Sequence, residues 1–260
     1  MILKNFKTTY AMVVMAMLVA ESCNENSSLV TIQRPNSTSK KTLSNSRVIN
    51  YSFDGTEGDA IGLDVASRWI INYSNQNNNS VSAHFFGNKF LSRVLSPNGS
   101  MGIRFYYSKA DNGNDHLLAV PASGNGNDFS FPFNGRGVNS SVELGFQGSP
   151  NTFSGNESDS VSLEAGDHFI DNYNVSNPSG IQAHFFGHEI IRQILSESNC
   201  IGIRCYYALN DAGVQQLLLV GVTSSGENIL PIQTSGGRVS DGGGTIADVS
   251  SPCPTYCSGH

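Results

Sequence analysis

Three kinds of polar side chain recur 100 residues apart in this chain, and each has a chemistry. An arginine offers a planar fork of donors and a tyrosine a rigid ring with a hydroxyl, which together suit a carboxylate, a sugar or a peptide strand. A histidine can act as a general base when a nucleophile or an acid is held beside it. These side chains are the candidate binding residues: His84, Arg104, Tyr106, His184, Arg204 and Tyr206.

The arginine and tyrosine of each pair are two residues apart, so in a strand they share one face. Ile103, Phe105 and Tyr107 alternate with Arg104 and Tyr106. The spacing predicts that one face builds the core and the other presents a guanidinium beside a phenol, in paired sites or a shared groove. The structural alternative is that Arg104 lies over Tyr106 or binds the C-terminus of a helix.

The two histidines precede a predicted helix, but no nucleophile or acid recurs at a spacing that forces contact with them. The structural alternative is a half-buried histidine bound to a backbone carbonyl. A metal pair of His184 and His188 would exist in one copy only, because Asn88 stands at the position equivalent to His188. We therefore assign no catalytic residue and predict no metal and no cofactor.

The recurrence belongs to an internal repeat. Residues 51–130 align with residues 151–230 without a gap, and 27 of the 80 aligned pairs are identical, including AHFFG at 83–87 and 183–187. Two copies are too few for a solenoid, so each unit must hold its own core or pair with the other. A unit of about 80 residues is just large enough to fold alone.

The periodicity within each unit predicts two helices and a hairpin. Leu63, Ala66 and Tyr73 fall at helical spacing, and a shorter apolar helix follows the AHFFG segment. Two β-rich segments then flank a turn of Asp111, Asn112 and Gly113. We expect an α+β fold of two tandem homologous units, each with two helices followed by a β-hairpin that packs on them.

Composition shifts divide the chain into six segments. We expect a signal peptide at 1–22, a polar linker at 23–49, the first unit at 50–133 and a linker at 134–149. The second unit follows at 150–233, and a Gly/Ser-rich tail with a cysteine pair occupies 234–260.

The N-terminus has the features of an export signal. Lys4 and Lys7 precede an uncharged run over 10–20, which is too short to cross a hydrocarbon core of about 30 Å. A small residue, Ser22, stands directly before Cys23, which resembles a bacterial lipoprotein signal whose cysteine carries the lipid. The alternatives are plain secretion and a buried N-terminal helix.

Four cysteines remain if Cys23 carries a lipid. Cys253 and Cys257 in the tail are close enough to form a disulfide in an oxidising compartment. Free thiols are one alternative. The other is a metal site with His260, which would still need a fourth ligand.

The charge balance argues against a nucleic-acid clamp. The chain has 15 basic and 21 acidic residues, a net charge of −6. Charged residues make up only 14%, against about 25% in ordinary soluble domains, a surface typical of the outside of a cell.

Several motifs together resemble a family of small exported bacterial proteins of unknown function with lipoprotein-type signals. The motifs are AHFFG, GIRxYY, LLxVGV and the terminal PCPxYC, and the resemblance covers each unit and the tail, strongest over 181–222 and 252–257. The family's usual member carries one unit. The resemblance implies export but no activity.

These features favour an exported, lipid-anchored protein of the cell envelope that acts as a binding or interaction module. Its expected partners are an envelope ligand, which is a peptide, glycan or protein, and the membrane through the lipid. One alternative is a hydrolase in which His184 lies in a concave pocket beside a nucleophile. The other is a structural or assembly subunit of the envelope.

Overall fold

The computed structural model describes residues 52–77, 80–129, 141–145, 152–232, 243–248 and 250–253. All of them belong to one compact unit, Val48–His260. The predicted signal peptide, the lipidation residue Cys23 and the second tail cysteine, Cys257, lie outside the described residues. None of the helices in the described ranges is long and apolar enough to cross a membrane.

Within these ranges the chain forms four helices. They are α1 (Leu63–Gln76), α2 (Asn88–Val94), α3 (Leu163–Ser176) and α4 (His188–Leu195). The apolar spacing anticipated all four. Ser162 caps α3, its side chain accepting a hydrogen bond from the Ala165 amide, and Asp64 and Glu164 lie in the first turns, where a carboxylate favours the helix dipole.

Eleven strands of the described residues form two antiparallel sheets. The first sheet has the order β1 (Asp59–Ala60), β10 (Ile246–Asp248), β9 (Gln215–Thr223), β8 (Cys200–Leu209) and β2 (Ala83–Gly87). The second sheet has the order β11 (Ser251–Cys253), β7 (Ala183–Gly187), β3 (Ser100–Lys109), β4 (Asp115–Ser123), β5 (Ser141–Leu144) and β6 (Asp159–Ser162). The α+β class and the two hairpins, β3–β4 and β8–β9, are confirmed.

The AHFFG segment, which the periodicity left unassigned, is a strand in both repeats, and it crosses to the hairpin of the other repeat. In β2, Ala83 pairs with Tyr206 and Gly87 with Gly202, both on β8. The pairing of β7 with β3 has the same register 100 residues apart. Each repeat therefore supplies the third strand of the other's hairpin.

The helices follow the strands in this exchange. The long helix α1 of the first repeat packs on β8, and α3 of the second repeat packs on β3. For the long helices this corrects the expectation that each hairpin packs on its own unit's helices, whereas the short helices α2 and α4 contact strands of both hairpins. The physical reason is connectivity, because a strand that joins the other hairpin carries the preceding helix with it.

Close backbone contacts fix the exchanged strands. The amide of Gly187 donates to the Glu57 carbonyl at 2.7 Å, and that of Gly87 donates to the Glu157 carbonyl at 3.0 Å. A Cβ atom added at Gly87 would overlap the Gly155 carbonyl oxygen, and one at Gly187 would overlap that of Gly55. Side chains are therefore excluded at both junctions.

The main core lies between the two sheets. The predicted core face of β3 meets the equivalent face of β8 there, together with the apolar sides of α2 and α4. The outer faces are covered by the long helices, α3 over Tyr106 and Leu118, and α1 over Ala208 and Leu218. The layers are therefore helix, sheet, sheet, helix.

Candidate functional site

Arg104 and Tyr106 form a buried network rather than an open face. Arg104 is 1% exposed, and its guanidinium donates to the Asp128 carboxylate and, at 2.9 Å, to the Gly126 carbonyl. The Tyr106 hydroxyl donates to the same carboxylate at 2.5 Å, and the Arg104 Cζ lies 5.9 Å from the Tyr106 ring centroid. The alternative in which Arg104 lies over Tyr106 is confirmed, and the expectation that the Arg104 guanidinium is presented at a binding surface is corrected.

The second copy repeats this network with a neutral partner. Arg204 donates to the Asn228 side-chain oxygen and, at 3.2 Å, to the Gly226 carbonyl. The Asn228 amide in turn donates to the Tyr206 hydroxyl at 2.8 Å, and the Arg204 and Tyr206 side chains are half-buried. Each arginine thus ties the loop after its hairpin back to the sheet.

The two arginine–tyrosine pairs do not meet. Tyr106 packs on the outer face of the second sheet beside α3, whereas Tyr206 packs on the outer face of the first sheet beside α1. Because the inner faces of the sheets meet in the core, the two outer faces point away from each other. A shared groove of Arg104 and Arg204 is therefore not formed.

His84 is buried on β2 and is held by two hydrogen bonds. Its Nδ1 lies 3.1 Å from the Gly145 carbonyl oxygen, so Nδ1 carries the proton and Nε2 accepts from the Tyr207 hydroxyl at 3.0 Å. The structural alternative, a histidine bound to a backbone carbonyl, is confirmed for His84, although the ring is fully buried rather than half-buried. Burial lowers the pKa of His84 to about 4, although the Gly145 carbonyl opposes this, so the ring is neutral at pH 7.

His184 occupies the equivalent place on β7 but has a different partner. Its Nδ1 lies 2.6 Å from the Ser250 hydroxyl, and its Nε2 has no hydrogen-bond partner in the described part of the chain. Burial lowers the pKa of His184 to about 3. Among the described residues, no group of three or more His, Cys, Asp or Glu side chains has the geometry of a metal site.

Four tyrosines from the two repeats stack in a line that we call the tyrosine row. The order is Tyr73, Tyr207, Tyr107 and Tyr173, and successive ring centroids are 5.4, 5.6 and 5.4 Å apart. Each outer ring comes from a long helix and stacks on a strand tyrosine of the other repeat. The row therefore runs across the junction between the repeats.

An open cavity of about 470 Å³ lies at the tyrosine row. We call it the central cavity. It is lined by the four tyrosines, by Gln76, Asn77, Ser80, Ser108 and Lys109, and by Asp115, His116, Asn177, Leu209 and Gln215. Both repeats contribute, and several lining residues occupy equivalent positions.

The phenols of the row are uncharged hydrogen-bonding groups at neutral pH. Burial, with a contribution from the Asp115 charge, raises the pKa of Tyr73 to about 12. Burial also raises the pKa of Tyr107 and of Tyr207 well above the ordinary value. The row therefore offers hydroxyls and no negative charge.

The two halves of the central cavity differ in charge. Lys109 Nζ lies 2.5 Å from Asp115 Oδ1 in the half formed by the first hairpin. Leu209 and Gln215 occupy the equivalent positions in the other half, where the Gln215 side-chain oxygen accepts from the Tyr173 hydroxyl at 3.2 Å.

Sequence reasoning placed the tyrosines of the row in the core and did not find the central cavity. A signal was present, since Tyr73, Asn77 and Tyr107 have identical counterparts 100 residues later. Asn77 and Asn177 directly follow the last residues of α1 and α3, and local spacing does not show that these positions lie beside the tyrosines of the other repeat.

The cysteines fall into two classes. Cys253, on β11 beside Ala183, is disulfide-bonded, whereas Cys200 and Cys205 are buried free thiols. Burial raises the pKa of Cys205 far above its usual range, so this thiol is unreactive. Cys257, the predicted partner of Cys253, lies outside the described residues.

No family model, no curated protein and no solved structure matches this chain.

Proposed function

We propose that the protein is an exported binding protein of the bacterial cell envelope, anchored through a lipid on Cys23, and that its ligand occupies the central cavity. The observation that carries this proposal is the cavity itself. Its volume of about 470 Å³ is within the range of roughly 300–1,000 Å³ typical of small-molecule sites. This moves the proposed binding surface away from the arginine–tyrosine pairs, which are engaged inside the fold.

The lining chemistry favours binding over catalysis. Amide and hydroxyl groups dominate the described lining, and they hold a ligand by hydrogen bonds without activating it. His84 and His184 are not among the lining residues; they lie against the tyrosine row, edge-on to Tyr207 and Tyr107.

Export is supported by the disulfide at Cys253. Disulfides persist in oxidising compartments such as the periplasm and the cell exterior, and are rare in the cytosol. The N-terminal signal and the low fraction of charged residues agree with this location.

We also propose that the chain is a tandem duplication whose homologous units, 50–133 and 150–233, exchange a strand and a long helix. Equivalent elements start 100 residues apart. The helices α1 and α3 begin at Leu63 and Leu163, and the strands β3 and β8 begin at Ser100 and Cys200. The central cavity is then a product of the pairing of the two units.

A cavity-filling variant tests the proposed function. Gln76 lies in the last turn of α1, is exposed and lines the cavity, so Gln76→Trp should obstruct it without disturbing the core. The Cys23→Ser protein is screened on glycan and peptide arrays, and the strongest hit is measured by calorimetry. We expect Gln76→Trp to abolish binding and the neighbouring exposed control, Asn75→Trp, to retain it. Unchanged binding by Gln76→Trp would exclude the cavity.

A second candidate is a serine hydrolase, favoured by the contact of His184 with the Ser250 hydroxyl at 2.6 Å. A histidine this close can accept a proton from the hydroxyl. The test is labelling by a fluorophosphonate probe with mass-spectrometric mapping. If the protein is a serine hydrolase, the probe should label Ser250 in the native protein and should leave the His184→Gln variant unlabelled. Absence of label on the native protein would reject the hydrolase.

A further inference from the structure

The two halves of the central cavity carry different side chains, and this difference points to the class and the orientation of its ligand. Building on the proposed function, we propose that the cavity binds a neutral oligosaccharide and holds it in one direction, with one end at Lys109 and Asp115 and the other at Leu209 and Gln215.

The charges in the cavity argue for a neutral ligand. Lys109 and Asp115 are already each other's counter-ion at 2.5 Å, and both are about 70% buried. An anion would compete with Asp115 for the ammonium group, and a cation would compete with Lys109 for the carboxylate. No other Lys, Arg, Asp or Glu is among the described lining residues. A ligand with a net charge therefore has no unpaired counter-charge among these four residue types.

The polar groups of the cavity match the hydroxyls of a sugar. Gln76 and Ser80 are exposed and can each donate and accept hydrogen bonds. Asn77 and Asn177 are half-buried; each side-chain amide donates to a backbone carbonyl of its own helix, and the amide group has a second hydrogen and an oxygen. A sugar hydroxyl also donates and accepts, so it can satisfy groups of both kinds. The tyrosine phenols stay protonated and donate within the protein, the Tyr207 hydroxyl to His84 and the Tyr173 hydroxyl to Gln215, so the rings serve the site as uncharged walls.

A peptide fits the same lining less well. Peptide recognition uses main-chain hydrogen bonds together with pockets for alternate side chains. Leu209 is the single aliphatic side chain of the described lining. Apart from the tyrosine rings the lining is mostly polar, so it offers few contacts for the aliphatic side chains of a peptide, and the observations favour the sugar.

The direction of binding follows from the broken equivalence of the halves. Were the lining identical in both repeats, a ligand could bind in either of two orientations related by exchange of the repeats. Lys109 and Asp115 give one half charge-assisted hydrogen bonds, which are about twice as strong as neutral ones. Leu209 and Gln215 give the other half an aliphatic contact and an amide. One end of the oligosaccharide therefore prefers the half with the ion pair.

The experiment compares neutral, acidic and amino-bearing oligosaccharides, with a peptide array as a separate arm. Each neutral oligosaccharide that binds is then prepared in two forms, with a bulky tag at the reducing end or at the other end. Both forms are titrated by calorimetry. We expect binding of neutral oligosaccharides, and an affinity that differs at least about tenfold between the two tag positions, the effect of about 1.4 kcal/mol.

The decisive variant is Lys109→Leu with Asp115→Gln, which gives the first half the residues that the second half already carries. It should fold, because the ion pair is replaced by side chains that the fold accommodates at equivalent positions. The difference between the two tag positions should fall to near unity. The matched control is His168→Arg, which copies Arg68 onto α3 at an exposed position outside the cavity and should preserve the difference.

Each other outcome overturns a stated part of the proposal. Preference for acidic or amino-bearing sugars contradicts the neutral ligand, and a tag difference that survives Lys109→Leu with Asp115→Gln contradicts the orientation. Peptide binding that Gln76→Trp abolishes overturns the ligand class but leaves the binding function in place. Failure of all probes to bind overturns both this inference and the proposed function.

Discussion

At Gly87 the absence of a side chain lets the backbones of the two repeats approach closely. The Gly87 φ of −66° and ψ of 147° suit any residue, so alanine there has no conformational cost. The added methyl would nevertheless overlap the Gly155 carbonyl oxygen of the other repeat. We expect Gly87→Ala to lower the free energy of unfolding by at least about 2 kcal/mol, measured by urea denaturation.

Gly113→Ala is the matched control for this prediction. Gly113 lies in the β3–β4 turn with φ at +85°, and a Cβ there would have no neighbour within 4 Å. Only backbone strain is expected, about 1 kcal/mol. If Gly87→Ala costs no more than Gly113→Ala, the close approach of the two repeats at Gly87 is wrong.

The buried histidines make stability depend on pH in a defined window. The pKa of His84 falls from 6.5 in the unfolded chain to about 4 in the fold, chiefly through burial. Between these values the unfolded state binds more protons, so the free energy of unfolding decreases as the pH falls from about 6.5 to 4, by roughly 3 kcal/mol from His84 alone. Above about pH 7 this contribution is constant.

Urea denaturation at pH 7.5, 5.5 and 4.5 measures this effect. His84→Gln should flatten the loss of stability with falling pH, and adding His184→Gln should flatten it further. The control is His168→Gln, which removes an exposed histidine of α3. An unchanged pH profile in the variant lacking both His84 and His184 would show that they are not buried in the neutral form.

At the scale of elements, the loops after the two hairpins are held by arginines of unequal importance. Arg104 is buried against a carboxylate, whereas Arg204 is half-buried against the neutral Asn228. Removing one partner of a buried ion pair leaves the other charge uncompensated. We expect Arg104→Met to cost about 3 kcal/mol and Arg204→Met about 1 kcal/mol.

Thermal unfolding of the two variants gives this comparison directly, because each is the control for the other. The Arg104→Met variant should unfold at a clearly lower midpoint temperature than the Arg204→Met variant. Equal midpoints would mean that the charge of Asp128 is not what the Arg104 side chain compensates.

The elements that local periodicity defines were predictable, and those that depend on distant pairing were not. Leu63, Ala66 and Tyr73 mark α1 because helical spacing is a local property. The AHFFG strand has five residues and is buried along most of its length, so neither alternation nor length shows which hairpin it joins. The partner of β2 lies more than 100 residues away, and no local pattern encodes it.

The candidate site was missed for the same reason. Tyr73 and Tyr107 were correctly placed on a helix and a strand and assigned to the core. Tyr107 is indeed 1% exposed, yet both also line the central cavity. They meet through the exchange, since Tyr73 stacks on Tyr207 and Tyr107 on Tyr173. A site made by pairing two repeats is invisible until the pairing is known.

At the scale of the whole molecule, two polar contacts on the surface also join the long helix of one repeat to the hairpin of the other. Arg68 of α1 binds Asp211 at 2.8 Å, and His168 of α3 binds Asp111 at 2.7 Å. Both pairs are exposed, and exposed pairs of this kind contribute little to stability. The exchange is therefore held mainly by the pairing of the exchanged strands and by the core between the sheets.

The most direct test of the account is to separate the two repeats. Residues 48–136 and 137–260 are produced as two chains and studied alone and mixed, by sedimentation and thermal unfolding. Because each hairpin lacks its third strand and its covering helix without the other repeat, we predict that neither fragment is a folded monomer. The mixture should form a 1:1 complex that unfolds in a single cooperative transition. A fragment that alone sediments as a monomer and unfolds cooperatively would contradict the exchange, and with it a cavity built by both repeats.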